Sequence, residues 1–497
     1  MTRINTNVAS LVARRALGVN NMSLNIALNR LSTGLRINSG KDDPAGLIAS
    51  ETLRSSLRAI TQAIDNARRA DTVVAVAEGG LQEISSLLLE LESLVDGSAS
   101  EAGLTNAEIA ANQSQIDSIL QSVTRIADQA AFGDTKLLNG NFDFTTSGIN
   151  INEATGAVLT DLNKVQINAA KIPNASFRTV NVNVLVGSGF ATASAQLGGV
   201  GSSGELGGVT SATTTIEVRG EFGSEVISFA SGTSVADIVT AINSSSELTG
   251  VSAITSGTAA AGQIMSVLLT STSYGSDAFV SVSVLENVST FSLPGGAEVK
   301  AFGTDGTITI NGSNGIVNGL NVSVRAGALD LDLTLTSTFG GTTGGATSFE
   351  ITGGGAIFAI SPNVGLSGQE TLGISEVSAG KLGNKGIGFL TTLGSGQTND
   401  LSSKNFASAQ RIVREAISQI AKLRGRLGAF QRNTLQTTIN SLLIARENIT
   451  AAESAIRDAD FAVETSNLTR AQILVNSSTA ALQIANTQPQ NVLALLG

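Results

Sequence analysis

The sequence predicts an α+β protein of several domains, in which N- and C-terminal segments form a long antiparallel helical coiled coil or bundle, the stalk, with an inserted β-rich outer domain. Both ends of the 497-residue chain carry apolar residues at alternating spacings of three and four, which is typical of helices packed along a heptad seam. In the middle the period changes to two, as in "TVNVNVLV" (179–186) and "LDLDLTLT" (329–336), which indicates strands. An amphipathic helix alone leaves its apolar stripe exposed, so the two helical ends are expected to meet.

The distribution of charge divides the chain in the same way. Residues 141–400 contain 8 basic and 19 acidic residues, a net charge of −11, whereas the whole chain carries −10. The two ends together are therefore nearly neutral at +1, and the middle also holds 41 of the 54 glycines. A balanced surface can pack against copies of itself, and an acidic surface tends to stay solvated.

The N-terminal third predicts a long stalk helix after a first amphipathic segment. A helix from Pro44, a favourable first-turn residue, to Val95 would be about 78 Å long. Its heptad seam is interrupted by Asp71 and shifts phase beside Gly79-Gly80.

A second helix is predicted to begin with a capping box formed by Thr105 and Glu108, and the short connection makes it an antiparallel partner of the first. The C-terminal hundred residues continue the three-four spacing, with a phase shift between Phe430 and Leu435, and Pro489 punctuates the last segment. The predicted stalk seam consists of apolar positions along these helices: Leu53, Leu57, Ile60, Ile64, Leu81, Leu88, Ile116, Ile119, Val123, Ile420, Leu423 and Leu427.

The middle of the chain combines strand patterns with turn signals. Ser234 is a predicted cap of a short helix, and Asn311-Gly312 and Asn318-Gly319 indicate tight turns. Shifts in composition near 145–165 and 355–400 place the boundaries. The predicted domains are an N-terminal helical segment and its connection (1–42), stalk segments (43–165 and 356–455), a β-rich outer domain (166–355) and a C-terminal helical segment (456–497).

The residue types leave little room for catalysis. The chain has no Cys and no His, which removes disulfides, thiolate metal sites and the usual base of a nucleophilic triad. Gly34 and Gly40-Lys41 suggest a phosphate-binding loop, but the glycines are one residue too far apart and Asp42 stands where a hydroxyl is needed. The acidic pairs lack further oxygen ligands at fixed spacing. We therefore expect no catalytic residue, cofactor or metal.

Charge and hydropathy limit the partners. A net charge of −10 argues against nucleic-acid binding. No run is expected to be long enough to span a membrane, and no secretory signal is visible, because Arg14 and Arg15 interrupt the early apolar stretch. The sequence indicates a soluble protein, or one exported without a cleaved signal.

The two ends of the chain carry long, specific motifs, "LNRLSTGLRINSGKDDPAGLIAS" (28–50) and "AIRDADFAVETSNLTRAQILVNSSTAALQIANTQPQNVLALLG" (455–497). The first resembles the N-terminal signature of bacterial flagellin, and the second resembles the family's C-terminal signature. "FGDTKLLNG" (132–140) and "FAISPNVGLSGQETLGISEVSAGKLG" (358–383) resemble the exit from and the return into its stalk domain. Residues 216–254 resemble a module of many flagellin variable regions.

The resemblance implies a structural subunit that self-assembles into the bacterial flagellar filament, used for motility. It implies terminal helices that line the filament core and are largely disordered in the monomer. Core-helix packing is expected at Leu24, Leu28, Leu31, Leu35, Leu468, Val475, Leu482, Leu495 and Leu496. Residues 32–46, here called the spoke, resemble the link between core helix and stalk. Its expected contacts between subunits involve Gly34, Arg36, Asn38, Lys41, Asp42 and Asp43.

The resemblance also implies partners and a location. The partners are other copies in a helical filament, the flagellar export chaperone, the filament cap and the hook–filament junction proteins. The filament is extracellular, and its subunits leave through the flagellar type III channel. Recognition by the innate flagellin receptor is expected to be weak: Glu90 occupies the place of an Arg in strongly stimulating members, Leu94 is retained, and Gln115 replaces a Glu.

Two alternatives share the helical ends. The hook–filament junction protein has the same terminal pattern, but the close match over the last thirty residues favours flagellin. Another type III-exported helical structural protein would also carry coiled ends. Abundance in sheared surface protein and filament formation by the chain alone discriminate between them.

Overall fold

The predicted α+β class is confirmed by the structure, a computed structural model. It describes residues 6–100, 105–148, 161–172, 177–197, 210, 213–256, 266–286, 291–293, 296 and 298–496. The helices are α1 Val8–Thr33, α2 Pro44–Ser98, α3 Asn106–Gln129, α4 Val235–Ser244, α5 Ser246–Thr249, α6 Ser337–Gly340, α7 Phe406–Ala429, α8 Thr437–Arg457 and α9 Phe461–Leu496. Short 3-10 turns span Leu366–Gly368, Leu390–Leu393 and Leu401–Ser403.

The strands lie almost entirely between α3 and α7. They are β1 Ala131–Phe132, β2 Thr135–Lys136, β3 Phe144–Ser147, β4 Leu162–Ala170, β5 Arg178–Val186, β6 Phe190–Leu197, β7 Thr214–Gly220, β8 Ser224–Phe229, β9 Val251–Ser256, β10 Ser266–Tyr274, β11 Phe279–Glu286, β12 Phe291–Ser292, β13 Glu298–Phe302, β14 Thr307–Ile310, β15 Ser313–Asn314, β16 Ile316–Asn318, β17 Asn321–Ala326, β18 Leu329–Leu335, β19 Ala346–Gly354, β20 Ala356–Ala359, β21 Gln369–Leu372, β22 Gly383–Asn384 and β23 Gly388–Phe389.

Local signals in the sequence explain several element boundaries. Thr105 and Glu108 form the expected capping box, in which each side chain binds the other residue's backbone N–H. The phase shift near Phe430 has a backbone cause, since Phe430–Gln436 is π-helical and its wider turns displace the apolar stripe between α7 and α8. The expected break at Pro489 is wrong, because α9 continues to Leu496.

The chain forms two compact units. The first comprises the described residues of Met1–Asp71, Ala359–Gly368 and Phe430–Gly497, and the second those of Thr72–Phe358 and Gln369–Ala429. In the first unit α1 runs antiparallel to α9. The first part of α2 packs on α8 through a small apolar cluster of Ile60, Ala63, Ile64 and Leu442.

In the second unit, α3 and α7 line the remaining part of α2 as a helical bundle. Two ion pairs join α2 to α7: Glu92 with Arg414 at 2.9 Å and Glu78 with Arg424 at 3.4 Å. The pairing of a later residue on one helix with an earlier one on the other makes them antiparallel.

Two β modules lie between α3 and α7 in the sequence. The first β module is a sandwich of the sheets β15-β14-β5-β19-β3 and β16-β17-β18-β4. Alternate residues of β5 and β18 fill its core, which is why both segments alternate so strictly in the sequence. Its strand β4 crosses residues 165 and 166, where the outer domain was expected to begin.

The second β module is inserted into the first between β5 and β14. It consists of the sheets β12-β6-β10-β9 and β13-β11-β7-β8, with α4 packed on its core. The chain enters and leaves through one joint, where Gly189 N donates to Thr304 O (2.8 Å) and Thr304 N to Gly189 O (3.1 Å). Ser188 Oγ, which is buried, ties this joint to Gly319 O at 2.6 Å.

A buried polar cluster connects the first β module to α7. The Arg426 guanidinium donates to Asn168 Oδ1 and to Gly373 O, and Asn168 Nδ2 donates to Asp330 and Asp332 at 2.9 and 2.8 Å. Burial lowers the pKa of Arg426, and the neighbouring carboxylates oppose that shift. The cluster therefore satisfies a charge that would be costly to bury alone.

Candidate self-association surface

The described residues contain no group of three or more acidic side chains that could hold a metal ion. One sequence expectation is wrong: α2 includes an 18-residue stretch that is long and apolar enough to cross a bilayer, of which 33% is buried within the chain. A single stretch of this kind also occurs in core helices. Among the described residues, exposed large apolar side chains are most densely spaced along the terminal helices α1 and α9.

The contact between α1 and α9 is partly polar. Asn7 Nδ2 donates to Ala485 O (2.7 Å), Ser10 Oγ to Asn486 Oδ1 (2.8 Å), and Asn20 Nδ2 to Ser478 Oγ (2.7 Å). Near the spoke, Arg30 forms an ion pair with Glu464 at 3.1 Å. The fully buried apolar residues on this seam are small ones, namely Ala27, Ala471 and Ala485.

Most of the large apolar side chains of this helix pair remain exposed. On α1 they are Val8, Leu11, Val12, Val19, Met22, Ile26 and Leu28, and on α9 they are Phe461, Val463, Ile473, Leu474 and Ile484. Several exceed half of their full exposure, for example Met22 at 66% and Phe461 at 68%. Exposed apolar surface of this extent marks an interaction site.

The predicted core-helix residues lie at the edge of the seam. Leu24, Leu31, Leu35, Leu468, Val475 and Leu482 are half-buried. Leu28 points further out and is 44% exposed. The side chains of Leu495 and Leu496 lie outside the described part of the chain.

The spoke contacts the connection between α8 and α9. Gly34 adopts a left-handed conformation (φ 72°), which ends α1 and turns the chain. Arg36 N donates to Arg457 O at 2.7 Å, and the Arg36 guanidinium to Ile456 O at 2.6 Å. Ala459 N donates back to Gly34 O at 2.9 Å.

The predicted acidic spoke residues serve local turns within the chain. Asp42 accepts hydrogen bonds from Ser39 N (2.8 Å), Ser39 Oγ (2.9 Å) and Asn38 N (3.2 Å). These bonds, above all that from the Ser39 hydroxyl, hold the pKa of Asp42 below its ordinary value. Asp43 Oδ1 accepts from Gly46 N at 2.8 Å in the first turn of α2, and Lys41 is exposed.

The predicted stalk-seam residues divide into two groups. Those from Ile60 onwards are buried, and Leu81, Leu88, Ile116, Val123 and Leu427 have no exposed surface. Leu53 and Leu57, at the beginning of α2, are half-buried.

The residues expected in the receptor region lie together. Gln115 Nε2 donates to Glu90 Oε1 at 2.9 Å, and both side chains are exposed on neighbouring helices. Leu94, one turn further along α2, is half-buried, and Leu89 beside Glu90 is 55% exposed.

Sequence reasoning missed the Arg30–Glu464 pair and the Arg426 cluster. Arg30 and Glu464, and likewise Asn168 and Asp332 in the cluster, are separated by more than 150 residues. The spacing of charged residues along one helix does not show which distant residue they contact. The only available signal was Glu464 itself, which stands where the three-four spacing of α9 expects a buried position.

The arrangement suits association between identical chains. The helix pair carries only five charged side chains, four Arg and one Glu, and presents large apolar side chains on its outer sides. Burying each of these apolar side chains against another copy stabilises the contact by about 1.5–3 kcal/mol. Contacts that are not closed by symmetry extend into filaments.

Three family models match the chain. The bacterial flagellin N-terminal helical region matches residues 4–143, the bacterial flagellin C-terminal helical region 411–496, and the flagellin hook IN motif 215–266. The B-type flagellin of Pseudomonas aeruginosa is 29% identical over 533 residues, and the flagellin of Salmonella typhimurium is 27% identical over 526; each alignment covers 99% of both chains. The solved structure of FliC from Burkholderia pseudomallei aligns with 74% of this chain and 99% of its own, at 13% identity and a TM-score of 0.23.

Proposed function

The chain belongs to the bacterial flagellins, the structural subunits that assemble into the extracellular flagellar filament used for motility, and we propose from this premise that α1 and α9 supply its contacts with other copies. The observation that carries the proposal is the exposed apolar surface of this helix pair. The junction-protein alternative is not favoured, since flagellins match over nearly their whole length.

We propose the following division of the chain. Residues 1–42 and 456–497 form the filament core, 43–165 and 356–455 the surrounding stalk, and 166–355 the outer domain. The net charge of −11 over residues 141–400 supports an outer position, because an acidic surface stays solvated and repels its neighbours. The spoke, residues 32–46, then joins core to stalk, with Arg36 and Lys41 placed for polar contacts.

The partners and the export route are part of the same proposal. The export chaperone covers the apolar stripe from Leu468 to Leu496, and the cap and hook–filament junction proteins meet the same terminal helices. Export proceeds through the flagellar type III channel. In this proposal the chain needs no cofactor and performs no catalysis, which the lack of His and Cys supports. It binds no nucleic acid, which the net charge of −10 supports, and it inserts into no membrane.

A matched pair of substitutions tests the assembly surface. Ile473 on α9 and Val226 on the second β module are 59% and 53% exposed, so neither is needed for a closed core. We expect Ile473→Asp to prevent polymerisation of the full-length chain, measured by sedimentation and electron microscopy, and Val226→Asp to leave it unchanged. Normal filaments from Ile473→Asp would refute the role assigned to α9.

The receptor region has its own test. Glu90 stands where a strongly stimulating flagellin has Arg. Its carboxylate would therefore face a receptor carboxylate or leave that receptor group unpaired, which costs about 2–5 kcal/mol of binding free energy if the contact is buried. That is roughly thirtyfold or more in affinity. We expect weak activation of receptor-bearing reporter cells by the monomer, partly restored by Glu90→Arg with Gln115→Glu, which replaces the existing 2.9 Å contact by an ion pair. A double variant no more potent than the wild type would contradict this.

A further inference from the structure

We propose that the ion pair between Arg30 and Glu464 sets the register in which α1 and α9 pair. The inference rests on the proposed role of these helices in the filament core. Glu464 is the one acidic side chain that is buried among the described residues, at 7% exposure, and its carboxylate lies 3.1 Å from Arg30 Nη1.

The uncharged residues of the seam distinguish one register from the next only weakly. On α1 the shielded positions Ala13, Asn20 and Ala27 recur every seven residues, and each carries a small or short polar side chain. On α9 the same spacing separates Ala471, Ser478 and Ala485. A slip by one heptad would place Asn20 opposite an alanine and break its hydrogen bond to Ser478, but both groups are neutral and only half-buried, so water can replace that bond.

The larger shielded residues repeat in the same way. Leu24 and Leu31 on α1 are seven apart, and so are Leu468, Val475 and Leu482 on α9. The same slip moves each aliphatic side chain into the place of another. Neither the size of the apolar side chains nor a second buried charge along the seam selects one register.

The ion pair breaks this equivalence. One heptad away from Glu464 on α9 stands Ala471, and one heptad before Arg30 on α1 stands Ser23. A slipped pair would leave Glu464 without a cation and the partly buried Arg30 without an anion. A single charged or polar contact is the best-attested device for fixing register in paired helices.

The spoke holds the end of α1 near the start of α9, but its bonds do not fix how the two helices align along their length. Its backbone bonds, Arg36 N to Arg457 O and Ala459 N to Gly34 O, lie outside both helices. The left-handed Gly34 and the non-helical residues 458–460 separate these bonds from α1 and α9. Among the described residues, the Arg30–Glu464 pair is the polar side-chain contact between α1 and α9 that lies nearest the spoke.

Disulfide trapping in assembled filaments of the full-length chain reads the register directly, because the natural chain contains no cysteine. Asn20→Cys with Ser478→Cys reports the native register, since Asn20 Nδ2 and Ser478 Oγ are 2.7 Å apart. Asn20→Cys with Ala471→Cys or Ala485→Cys reports a slip of one heptad, about 10 Å along the axis, which no disulfide spans. Electrophoretic mobility separates bonds within one chain from bonds between copies.

The charge variants are Arg30→Glu, Glu464→Arg, their combination, and Arg30→Lys. We expect each reversal alone to lower the yield of the native-register disulfide by on the order of tenfold or more. The combination is expected to restore that yield, and Arg30→Lys to retain most of it. Glu221→Arg, a reversal at an exposed position of the second β module, is the control and should leave the yield unchanged.

Three results would overturn the inference. If single reversals keep the native register at full yield, the spoke bonds set it instead. If the combination fails to restore what the single reversals lose, charge pairing is not the determinant. If the chain with Arg30 and Glu464 intact forms no disulfide between positions 20 and 478, the proposed pairing of α1 with α9 is itself wrong, which separates that failure from the other two.

Discussion

The terminal helices and the β modules use their apolar residues in opposite ways. In the β modules, alternate residues of the long central strands point inward and are almost wholly buried, as Val180, Val182 and Val184 are on β5. On α1 and α9 the large apolar residues mostly point outward, and the buried ones are alanines. The modules bury their core residues within a single chain, whereas the helix pair leaves apolar faces that only further protein surface could cover.

This difference explains the distribution of charge and glycine. A module that folds alone can carry a net negative charge, because nothing has to pack on its outside. Its tight turns and close joint need glycine, for example at Gly319, where a left-handed conformation lies against Tyr274. The helix pair has one glycine and only five charged side chains, so little charge would have to be desolvated where copies meet.

The largest effect is expected from removing the C-terminal core helix. A chain lacking residues 456–497 loses every exposed apolar residue of α9, so we expect polymerisation to be abolished. The β modules should stay folded, because their cores contain no residue from α9. Filaments of normal yield from the truncated chain would contradict the role assigned to α9. Unfolding of the β modules in that chain would contradict their independence from the terminal helices.

The state of the modules can be followed without a label. Tyr274 is the only tyrosine of a chain without tryptophan, and its ring stacks on Phe190 with centroids 3.8 Å apart beside the joint. Its near-ultraviolet dichroism should be the same in the truncated and full-length chains.

Much of the fold of the second unit could be predicted from the sequence, because its helices and strands bury their apolar faces against one another within the chain. The buried residues Leu81 and Leu88 lie at the heptad positions that the three-four spacing indicates, and "LDLDLTL" forms β18 with its leucines inward. In such segments a single period identifies both the element and its buried face.

The terminal helices were harder to interpret, for a physical reason. Spacing identifies the faces of a helix and does not say which partner covers each face. Leu28 fits the apolar spacing of α1 and is nevertheless exposed, while Ala27 beside it is buried against α9. The insertion of one β module into the other was equally invisible, since it depends on pairing β5 with β14 across 120 residues.

A smaller, pH-dependent effect is expected at the spoke. The hydrogen bonds from Ser39 lower the pKa of Asp42 in the folded chain, so its carboxylate contributes stability above the ordinary value of 3.8. That contribution is lost as the pH falls through the lowered folded value. Filaments of Asp42→Asn should therefore dissociate at a lower temperature than the wild type at neutral pH, and the difference should shrink in strong acid.

The control for this measurement is Asp65→Asn, which removes one exposed aspartate of α2 from outside the spoke. It changes the net charge equally and should leave the dissociation temperature nearly unchanged at neutral pH. A difference between wild type and Asp42→Asn that grows as the pH falls would have the wrong sign for a carboxylate stabilised by hydrogen bonds.

The smallest effect on assembly is expected from deleting the proposed outer domain, residues 166–355, since it carries none of the terminal-helix surface. The deletion removes Asn168, Asp330 and Asp332, the partners that cover Arg426, but it also uncovers Arg426 to water. An exposed guanidinium needs no partner, so the large penalty for an unpaired buried charge does not apply.

The cut within β4 and the loss of β19, the partner of β3, leave Phe144 without its core, and Phe144→Ser should improve the solubility of the shortened chain. A gentler deletion of residues 190–302 removes only the second β module and joins Gly189 to Gly303, next to the residue whose backbone already pairs with Gly189. We expect both shortened chains to form filaments, measured by sedimentation. If the gentler deletion assembles and the larger one does not, the first β module belongs to the tube; if neither assembles, the two regions are not independent.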